Sequence, residues 1–374
     1  MRRVERIAVF EPQIDEEDVQ AVADTVRRGE ISGAFGQTIP AFEQAFADYC
    51  GVKHGVAVSN GTTALHLVVA AAGIGPGDEV LVSTSTNIAT ALAAYHCGAV
   101  TVPVDSEPET WNLDLSLVEE LITERTKAII PVHLFGHPVD MDALNEIARR
   151  HGLLVIEDAA EAHGAQMRGR RCGSLGDVNC FSFFANKVIT TGEGGMVMTD
   201  DDEWAQRLRY LRNLAHGQPR FLHQEPGFNF RMTGYQAALG LSQLRRIDEV
   251  IEAKRRVAAR YDELLGGVPG IQIPVEKEWA RSVYWMYAIV VGDEYPLTRD
   301  ELAGALAADG IDSRTFFCPM NQQPFLRRQP GYRDVPCPVA DRLWETGLYL
   351  PSAPSLTDAQ LERVAERIGA AVAV

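Results

Sequence analysis

Three segments of the sequence place residues that can do chemistry directly after predicted strands. The first reads SNGTTA at positions 59–64, between a strand and a helix. Free N–H groups and the positive end of a helix dipole would face a ligand there, which suits a phosphate. Taken alone, this segment is better explained by Ser59 or Asn60 capping the helix.

The second segment has two acids at the end of a predicted strand. Positions 153–164 read LLVIEDAAEAHG, so small residues and then His163 follow Glu157 and Asp158. Small side chains leave room for a flat ligand, and open α/β sheets bind ligands at the carboxyl ends of their strands. The structural alternative is that Asp158 caps a helix.

The third segment surrounds a lysine with apolar residues. Positions 181–195 read FSFFANKVITTGEGG, with Lys187 before a glycine-rich turn. Burial lowers the pKa of a lysine, and a neutral amine can form a Schiff base. A single lysine on a turn is by default a surface residue. Together, however, the three segments supply what pyridoxal phosphate requires, namely a phosphate site, an acid at the pyridine nitrogen and an imine-forming lysine.

Composition and motif content argue against several other functions. The 374 residues include 35 Lys plus Arg and 51 Asp plus Glu, and this net charge of −16 disfavours a nucleic-acid partner or an anionic membrane surface. The common NTP-binding, dinucleotide-binding and HExxH zinc motifs do not occur. Cys172 stands where a nucleophile elbow needs glycine. Scattered histidines such as His66 and His96 are best explained as core or surface residues, so we expect no metal site.

Cysteine usage and the N-terminus indicate a compartment. Six cysteines without a C-x-x-C pair are typical of thiols in a reducing environment. No apolar stretch follows Arg2 and Arg3, and no run of about 18 apolar residues occurs. We expect a cytoplasmic protein without a membrane partner.

Alternating strands and helices predict an α/β fold class. Near-continuous apolar strands separated by helices are typical of a mostly parallel sheet that is covered on both faces. The predicted strands are 55–59, 79–83, 100–104, 127–132, 153–157, 178–183 and 194–199, and the helices between them include 62–72, 115–122 and 141–151.

A smaller α+β domain is predicted to follow. The predicted division is a large α/β domain at 1–250, which includes the N-terminal segment, and a small domain at 251–374. A glycine-rich segment at 266–270 is a plausible hinge. The elements predicted after residue 200 are helices at 201–214, 233–265 (with breaks), 298–309 and 357–368, and strands at 284–291 and 314–317.

The three segments at 59–64, 153–164 and 181–195 resemble those of the pyridoxal-phosphate-dependent sugar-nucleotide aminotransferases of fold type I. The resemblance extends from GEISG at 29–33 to positions 350–351. It implies a large domain with a mostly parallel seven-stranded sheet and a smaller C-terminal α+β domain. Its signature blocks are NGTTAL at 60–65, EDAAEAHG at 157–164, NKVITTGEGG at 186–195 and GFNFRM at 227–232.

The resemblance implies roles for individual residues. Lys187 would bind the cofactor as an imine and shuttle protons, and Asp158 would keep the pyridine nitrogen protonated. Glu161 falls near the ring hydroxyl. The residues that would hold the phosphate are Gly61, Thr62, Ser182 and, from the neighbouring subunit, Asn229.

Two further implications concern the assembly and the cofactor ring. A residue contributed by the neighbouring subunit implies a homodimer with shared active sites. Asn87 departs from the family, which commonly has an aromatic residue there that stacks on the cofactor. Either another residue covers that face, or the pocket is open for an unusual substrate.

The implied reaction is a ping-pong transamination. L-glutamate gives up its amino group and leaves as 2-oxoglutarate, and a nucleotide-linked keto sugar then receives the amino group. Lys187 argues against the subgroup that has histidine there and dehydrates its substrate. Positions 131–141 and 182–196 are most similar to the branch that aminates C4 of GDP-4-keto-6-deoxy-mannose. Candidate substrate contacts, each of which also has a surface or interface explanation, are His216, Phe221, His223, Arg231, Trp285 and Arg314.

Three alternatives stay open at this point. The acceptor could be another keto sugar, UDP-linked, dTDP-linked or with eight or nine carbons. A regulatory relative could bind pyridoxal phosphate without turnover, although the intact Lys187, Asp158 and glycine-rich turn weigh against it. A lyase or decarboxylase acting on an amino acid would form product without a keto acceptor.

Overall fold

Short strands and helices alternate along the first 200 residues of the chain, as the apolar runs predict. The computed structural model describes residues 6–219 and 221–372. The strands are β1 (His54–Val58), β2 (Glu79–Ser83), β3 (Val100–Val104), β4 (Thr126–Ile130), β5 (Leu154–Asp158), β6 (Gln166–Met167), β7 (Arg170–Arg171), β8 (Val178–Ser182), β9 (Gly195–Thr199), β10 (Ile271–Gln272), β11 (Ala280–Arg281), β12 (Ala288–Val291), β13 (Arg314–Thr315) and β14 (Gly347–Tyr349).

The helices cover the strands on both faces. They are α1 (Glu16–Arg27), α2 (Thr38–Cys50), α3 (Gly61–Ala71), α4 (Ala89–His96), α5 (Val118–Leu121), α6 (Met141–His151), α7 (Asp202–Arg212), α8 (Gly234–Leu244), α9 (Ile247–Leu265), α10 (Arg299–Ala308), α11 (Pro338–Thr346) and α12 (Asp358–Ala370). Within the described residues, no helix combines the length and the apolar character needed to cross a membrane.

A seven-stranded sheet in the order β1-β9-β8-β5-β4-β2-β3 confirms the predicted fold class. β2 pairs in parallel with β3 and β4, β4 with β5, and β5 with β8. β9 is antiparallel to both β1 and β8, because residues 183–194 connect β8 to β9 without a crossover helix. This connection carries Lys187. All seven predicted strands are present, with ends within two residues of the prediction.

The sheet separates two hydrophobic cores, because the side chains along a strand point alternately to its two faces. Leu81 faces the core beneath α2 and α6, and its neighbour Val82 faces the core beneath α3, α4 and α7. The first core contains an aromatic cluster. There the Phe46 ring of α2 lies edge-on to Phe181 and Phe183, with centroid distances of 4.9 and 5.1 Å.

The C-terminal part builds a third core around a four-stranded antiparallel sheet in the order β10-β12-β14-β13. α9 belongs to two cores, since Val250 packs with the large sheet whereas Tyr261 packs with the C-terminal sheet. Ile7 of the N-terminal segment also packs in the C-terminal core, and it pairs with Ile311. The division at residue 250 remains a proposal, and it falls inside one continuous helix.

Some predicted elements differ in the structure. The strand predicted at 284–291 is shortened to β12, because Tyr284 has a φ of +45°, which an extended strand does not allow. The strand predicted at 314–317 is reduced to β13. The helix predicted with breaks at 233–265 is present as α8 and α9, and its break lies at Arg245 and Arg246. Arg2, Arg3 and the last two residues of the predicted small domain lie outside the described residues.

Replacing Phe46 with alanine tests the aromatic cluster. Phe46 is fully buried, so its loss leaves a cavity, and we expect the free energy of unfolding to fall by about 3–5 kcal/mol. Val275→Ala is the control, because Val275 is 40% exposed and its truncation should cost less than about 0.5 kcal/mol. Urea denaturation followed by circular dichroism compares the two variants. Equal midpoints would show that Phe46 does not support the core.

Candidate active site

A cavity of about 440 Å³ lies at the carboxyl ends of the central strands, with Asp158 and Ser182 as the last residues of β5 and β8. All three segments singled out in the sequence contribute to its wall. The residues from these segments that were predicted to serve the cofactor, and that line the cavity, are Gly61, Thr62, Asp158, Glu161, Ser182 and Lys187.

The start of α3 forms one end of the cavity. Asn60 caps the helix, because its Oδ1 accepts the Thr63 N–H at 2.8 Å and its own N–H donates to Thr63 Oγ1 at 3.2 Å. The first two helical residues, Gly61 and Thr62, therefore present their N–H groups to the cavity. A Cβ on Gly61 would lie 2.6 Å from Ser182 Cβ, so only glycine allows this close approach. The capping and phosphate interpretations are thus compatible.

Asp158 is buried in the wall of the cavity. Its Oδ2 accepts a hydrogen bond from Thr90 Oγ1 at 2.9 Å, and its Oδ1 accepts the Ala160 N–H at 3.2 Å. Burial raises the pKa of this carboxyl group above its ordinary value, and the two hydrogen bonds partly oppose that shift. A cationic ring nitrogen would complete the set of partners for the carboxylate.

Lys187 and Glu161 lie next to each other in the wall of the cavity. The Lys187 side chain is only 10% exposed, which excludes an ordinary surface lysine, and its Nζ lies 3.9 Å from Glu161 Oε1. Burial lowers the pKa of Lys187, and the neighbouring carboxylates partly restore it. Burial raises the pKa of Glu161 to about 7, and the Phe135 N–H donates to Glu161 Oε2 at 2.8 Å. Burial therefore favours the neutral form of the Lys187 amine.

Trp285 lies against the lysine. The Lys187 Nζ is 3.9 Å from the centroid of the indole ring, and the indole N–H donates to the Asn186 carbonyl at 2.7 Å. The sequence predicts Trp285 as a substrate contact. It lines the cavity with Phe317 and Tyr349, all three from the C-terminal part of the chain.

The other predicted substrate contacts do not line this cavity. The His216 and His223 rings lie 5.0 Å apart, and His223 Nδ1 is 2.8 Å from the Leu214 carbonyl oxygen. Arg231 donates to Asn213 at 2.7 Å, and Arg314 donates to Asp312 at 2.6 Å. The predicted residues that the described part of the chain leaves outside the cavity are His216, Phe221, His223, Arg231, Arg314 and Asn229.

Asn87 lines the cavity where the family commonly has an aromatic residue. Its side chain is exposed, and its Oδ1 accepts the Ala89 N–H at 3.0 Å, directly before α4. The aromatic residues of the cavity wall come from other segments, namely Phe184, Trp285, Phe317 and Tyr349.

Two histidines close to the cavity have structural surroundings. His163 packs 4.9 Å from the Phe181 ring, and burial lowers its pKa to about 3, so it is neutral. His133 Nε2 lies 2.8 Å from Glu157, whose carboxylate also accepts the N–H groups of Gly173 and Leu175. His133, Glu157 and Cys172 make the one trio of potential metal ligands found in the described chain. Hydrogen bonds within the fold already occupy the Glu157 carboxylate.

Sequence reasoning did not identify several groups that shape the site. They include the Thr90 hydroxyl on Asp158, the Phe135 N–H on Glu161 and the contact between Trp285 and Lys187. Thr90 had a detectable signal, because it lies at the start of a helix that follows a central strand. Phe135 acts through its backbone, so its side-chain type carries no signal.

A buried lysine, a buried carboxyl group and a helix N-terminus around one cavity of an α/β fold define a pyridoxal-phosphate-binding protein. Comparison with known proteins is consistent with this class. The chain matches the model of the DegT/DnrJ/EryC1/StrS aminotransferase family over residues 12–369. It belongs to that family, and it is accordingly a pyridoxal-phosphate-dependent aminotransferase.

Individual relatives are similar over nearly their whole length. The GDP-perosamine synthase of Caulobacter vibrioides is 47% identical over 366 residues, which cover 97% of this chain and 98% of the relative. The dTDP-3-amino-3,4,6-trideoxy-alpha-D-glucose transaminase of Streptomyces venezuelae is 40% identical over 358 residues, or 94% of this chain and 93% of that protein. The solved PLP form of Spr1654 from Streptococcus pneumoniae is 28% identical, with a TM-score of 0.92 over 98% of each chain.

Glu161 gives the buried cavity a pH signature. Its pKa is about 7 in the folded protein against 4.5 for the free side chain, so the native state keeps a proton that the unfolded chain releases. The stability from this proton is complete below the lower pKa and is lost as the pH rises through the higher one. As the pH rises from below 4.5 to above 7, the free energy of unfolding of the cofactor-free wild type should therefore fall by up to about 3 kcal/mol relative to that of Glu161→Gln.

Urea denaturation of both cofactor-free proteins at pH 5, 6, 7 and 8 measures this difference. A difference between wild type and Glu161→Gln that stays constant with pH would show that Glu161 titrates as an exposed acid does.

Proposed function

We propose that this aminotransferase moves the amino group of L-glutamate onto a nucleotide-linked keto sugar, GDP-4-keto-6-deoxy-mannose, and so forms GDP-perosamine. The observation that carries the catalytic part is the buried Lys187 amine between Glu161 and Trp285 in the strand-end cavity. The GDP-perosamine synthase that is 47% identical supports the acceptor.

The donor groups of the cavity fit pyridoxal phosphate. We propose that the N–H groups of Gly61 and Thr62, with the Ser182 hydroxyl, hold the phosphate, and that Asp158 holds the proton of the ring nitrogen. Glu161 would lie near the ring hydroxyl. Bound there, the cofactor supplies an electron sink for the carbon that loses its proton.

Lys187 is proposed to carry the proton during transfer. A base must be neutral to accept a proton, and burial favours the neutral amine by lowering its pKa. The connection between β8 and β9 holds the backbone of Lys187 in place, because the Lys187 N–H donates to the Phe184 carbonyl at 2.9 Å. The Trp285 ring and Glu161 border the amine and limit access of water.

We propose a homodimer in which the neighbouring copy completes the substrate side of the site. Phe221 is 72% exposed and Asn229 is also exposed, and both lie outside the cavity of their own chain. A second copy would bring Asn229 to the phosphate. It would also bring the predicted contacts of the same segment, which are His216, Phe221, His223 and Arg231. Arg314 instead pairs with Tyr349, which lines the cavity of its own chain.

A cytoplasmic location is part of the proposal. All six cysteines are free thiols in the structure, and burial raises the pKa of each of them above the ordinary value. Such thiols fit a reducing compartment.

The near-visible absorbance spectrum of the protein tests both the role of Lys187 and the identity of the acceptor. L-glutamate should bleach the near-visible band of the cofactor-loaded protein, because the amino group moves onto the cofactor. GDP-4-keto-6-deoxy-mannose should restore the band. Lys187→Ala should lower kcat by about 10²–10⁴-fold and lack the lysine-dependent band. Lys127→Ala is the matched control, because Lys127 is exposed.

The outcomes of this test separate two levels of the proposal. Recovery only with a dTDP- or UDP-linked keto sugar would contradict the acceptor and leave the aminotransferase assignment intact. The 40% identical dTDP-sugar transaminase makes that the next candidate. No band in the reconstituted wild type would contradict the assigned role of Lys187. Product from an amino acid without a keto acceptor would point to a lyase or decarboxylase.

Mixing two inactive variants tests the shared site. In a dimer of Asn229→Ala with Lys187→Ala, one site keeps both intact residues if Asn229 serves the neighbouring subunit. Random mixing should then restore about a quarter of the wild-type activity. The control mixes Lys187→Ala with the Lys187→Ala/Asn229→Ala double variant, which leaves no intact site. Activity no greater than in this control would place Asn229 outside the partner's site.

A further inference from the structure

Lys254 is a buried amine that the proposed reaction does not use. It lies in the middle of α9 and is 6% exposed. Its Nζ donates to the backbone carbonyls of Trp285 and Ser352, each at 2.9 Å. No carboxylate in the described chain forms an ion pair with it, and burial lowers its pKa to about 7. A buried amine is costly unless hydrogen bonds compensate it, so these two carbonyls are its main support.

The segment that carries Trp285 lies outside the β-strands and is held by hydrogen bonds from other parts of the chain. Residues 282–287 lie between β11 and β12 without strand pairing, and Tyr284 has a φ of +45°. A non-glycine residue keeps such a conformation only where its surroundings hold it. Lys254 binds the carbonyl of the next residue, Trp285, and Ser352 Oγ accepts the Tyr287 N–H at 2.8 Å. Lys254 therefore holds the middle of this segment at Trp285. The ends are held by Gly136, whose carbonyl accepts the Val283 N–H at 3.2 Å, and by Ser352 at Tyr287.

The same tryptophan borders the proposed catalytic amine. Its ring centroid lies 3.9 Å from Lys187 Nζ, and its indole N–H binds the Asn186 carbonyl. A cavity of about 20 Å³, large enough for one water molecule, touches both Lys187 and Lys254. An unbroken series of contacts thus leads from the Lys254 ammonium through Trp285 to Lys187.

We propose that Lys254 is a positioning residue of the active site, because its amine fixes the Trp285 backbone and thereby the ring beside Lys187. This inference rests on the proposed role of Lys187. A tryptophan face stabilises a nearby ammonium and also excludes water from it. Displacing the ring therefore changes both the position and the pKa of the Lys187 amine.

Two substitutions of Lys254 separate the hydrogen bonds from the bulk of the side chain. Lys254→Met keeps much of the length and removes the donors, whereas Lys254→Gln keeps two N–H donors. We expect Lys254→Met to lower kcat/KM by about tenfold to a hundredfold, since small displacements of a catalytic group have effects of this size. Lys254→Gln should recover part of that loss. The exposed Lys127→Met serves as the control.

Two readouts follow Lys187 without turnover. One is the pH midpoint of the near-visible band in the cofactor-loaded protein. The other is the rate at which an acylating reagent modifies Lys187 in the cofactor-free protein, measured by mass spectrometry. Lys254→Met should change both, and Lys127→Met should change neither. A folded Lys254→Met protein with unchanged Lys187 signals would overturn the proposal, whereas a wild type without the band would overturn the role of Lys187 instead.

A double-mutant cycle with Trp285→Phe tests whether Lys254 influences Lys187 through Trp285. If Lys254 acts through Trp285, adding Lys254→Met to Trp285→Phe should produce little further change in the Lys187 signals. Fully additive effects would contradict that route. Circular dichroism establishes that each variant folds. If Lys254→Met does not fold, Lys254→Gln and Trp285→Phe must still shift the Lys187 signals, and unchanged signals in both would reject the proposal.

Discussion

Burial of an amine and two carboxyl groups in one cavity is the constraint on which the site depends. Burial moves their pKa values in opposite directions, downward for Lys187 and upward for Asp158 and Glu161. Each group therefore needs a partner supplied by the fold. Thr90 donates to Asp158, the Phe135 N–H donates to Glu161, and the Trp285 ring borders Lys187. These contacts hold a buried amine close to two buried acids.

The large sheet brings these groups together through its parallel strands. Asp158 pairs with Cys180 in the register between β5 and β8, so the two strands end side by side and present Asp158 and Ser182 at one edge. The connection after β8 then returns through Lys187 to β9. The close approach of Gly61 to Ser182 sets the start of α3 against the same edge. A shift in this register would separate Asp158 from Ser182 and the start of α3.

Much of this arrangement can be predicted from the sequence, because it follows from local patterns. Apolar runs predict the strands, and polar residues directly after them predict where ligands bind. The Phe135 N–H and the contact of Trp285 with Lys187 depend on segments that are distant in sequence, so no local pattern reports them. The positive φ of Tyr284 likewise has no local signal such as glycine. Contacts predicted in the 216–231 segment stay outside the cavity of a single chain, since a loop's final position depends on what it packs against.

The two parts of the molecule contribute different kinds of contact. The large sheet and the start of α3 supply the acids and the N–H groups, whereas the C-terminal part supplies three of the four aromatic residues of the wall, Trp285, Phe317 and Tyr349. Asn87 strengthens this division, because the segment after β2 adds an amide and no ring to the wall. The aromatic side of the cavity therefore depends on how firmly the C-terminal part is held against the sheet. α9 packs in both cores, and its Lys254 binds the Trp285 backbone, so this helix connects the aromatic side of the cavity to the large sheet.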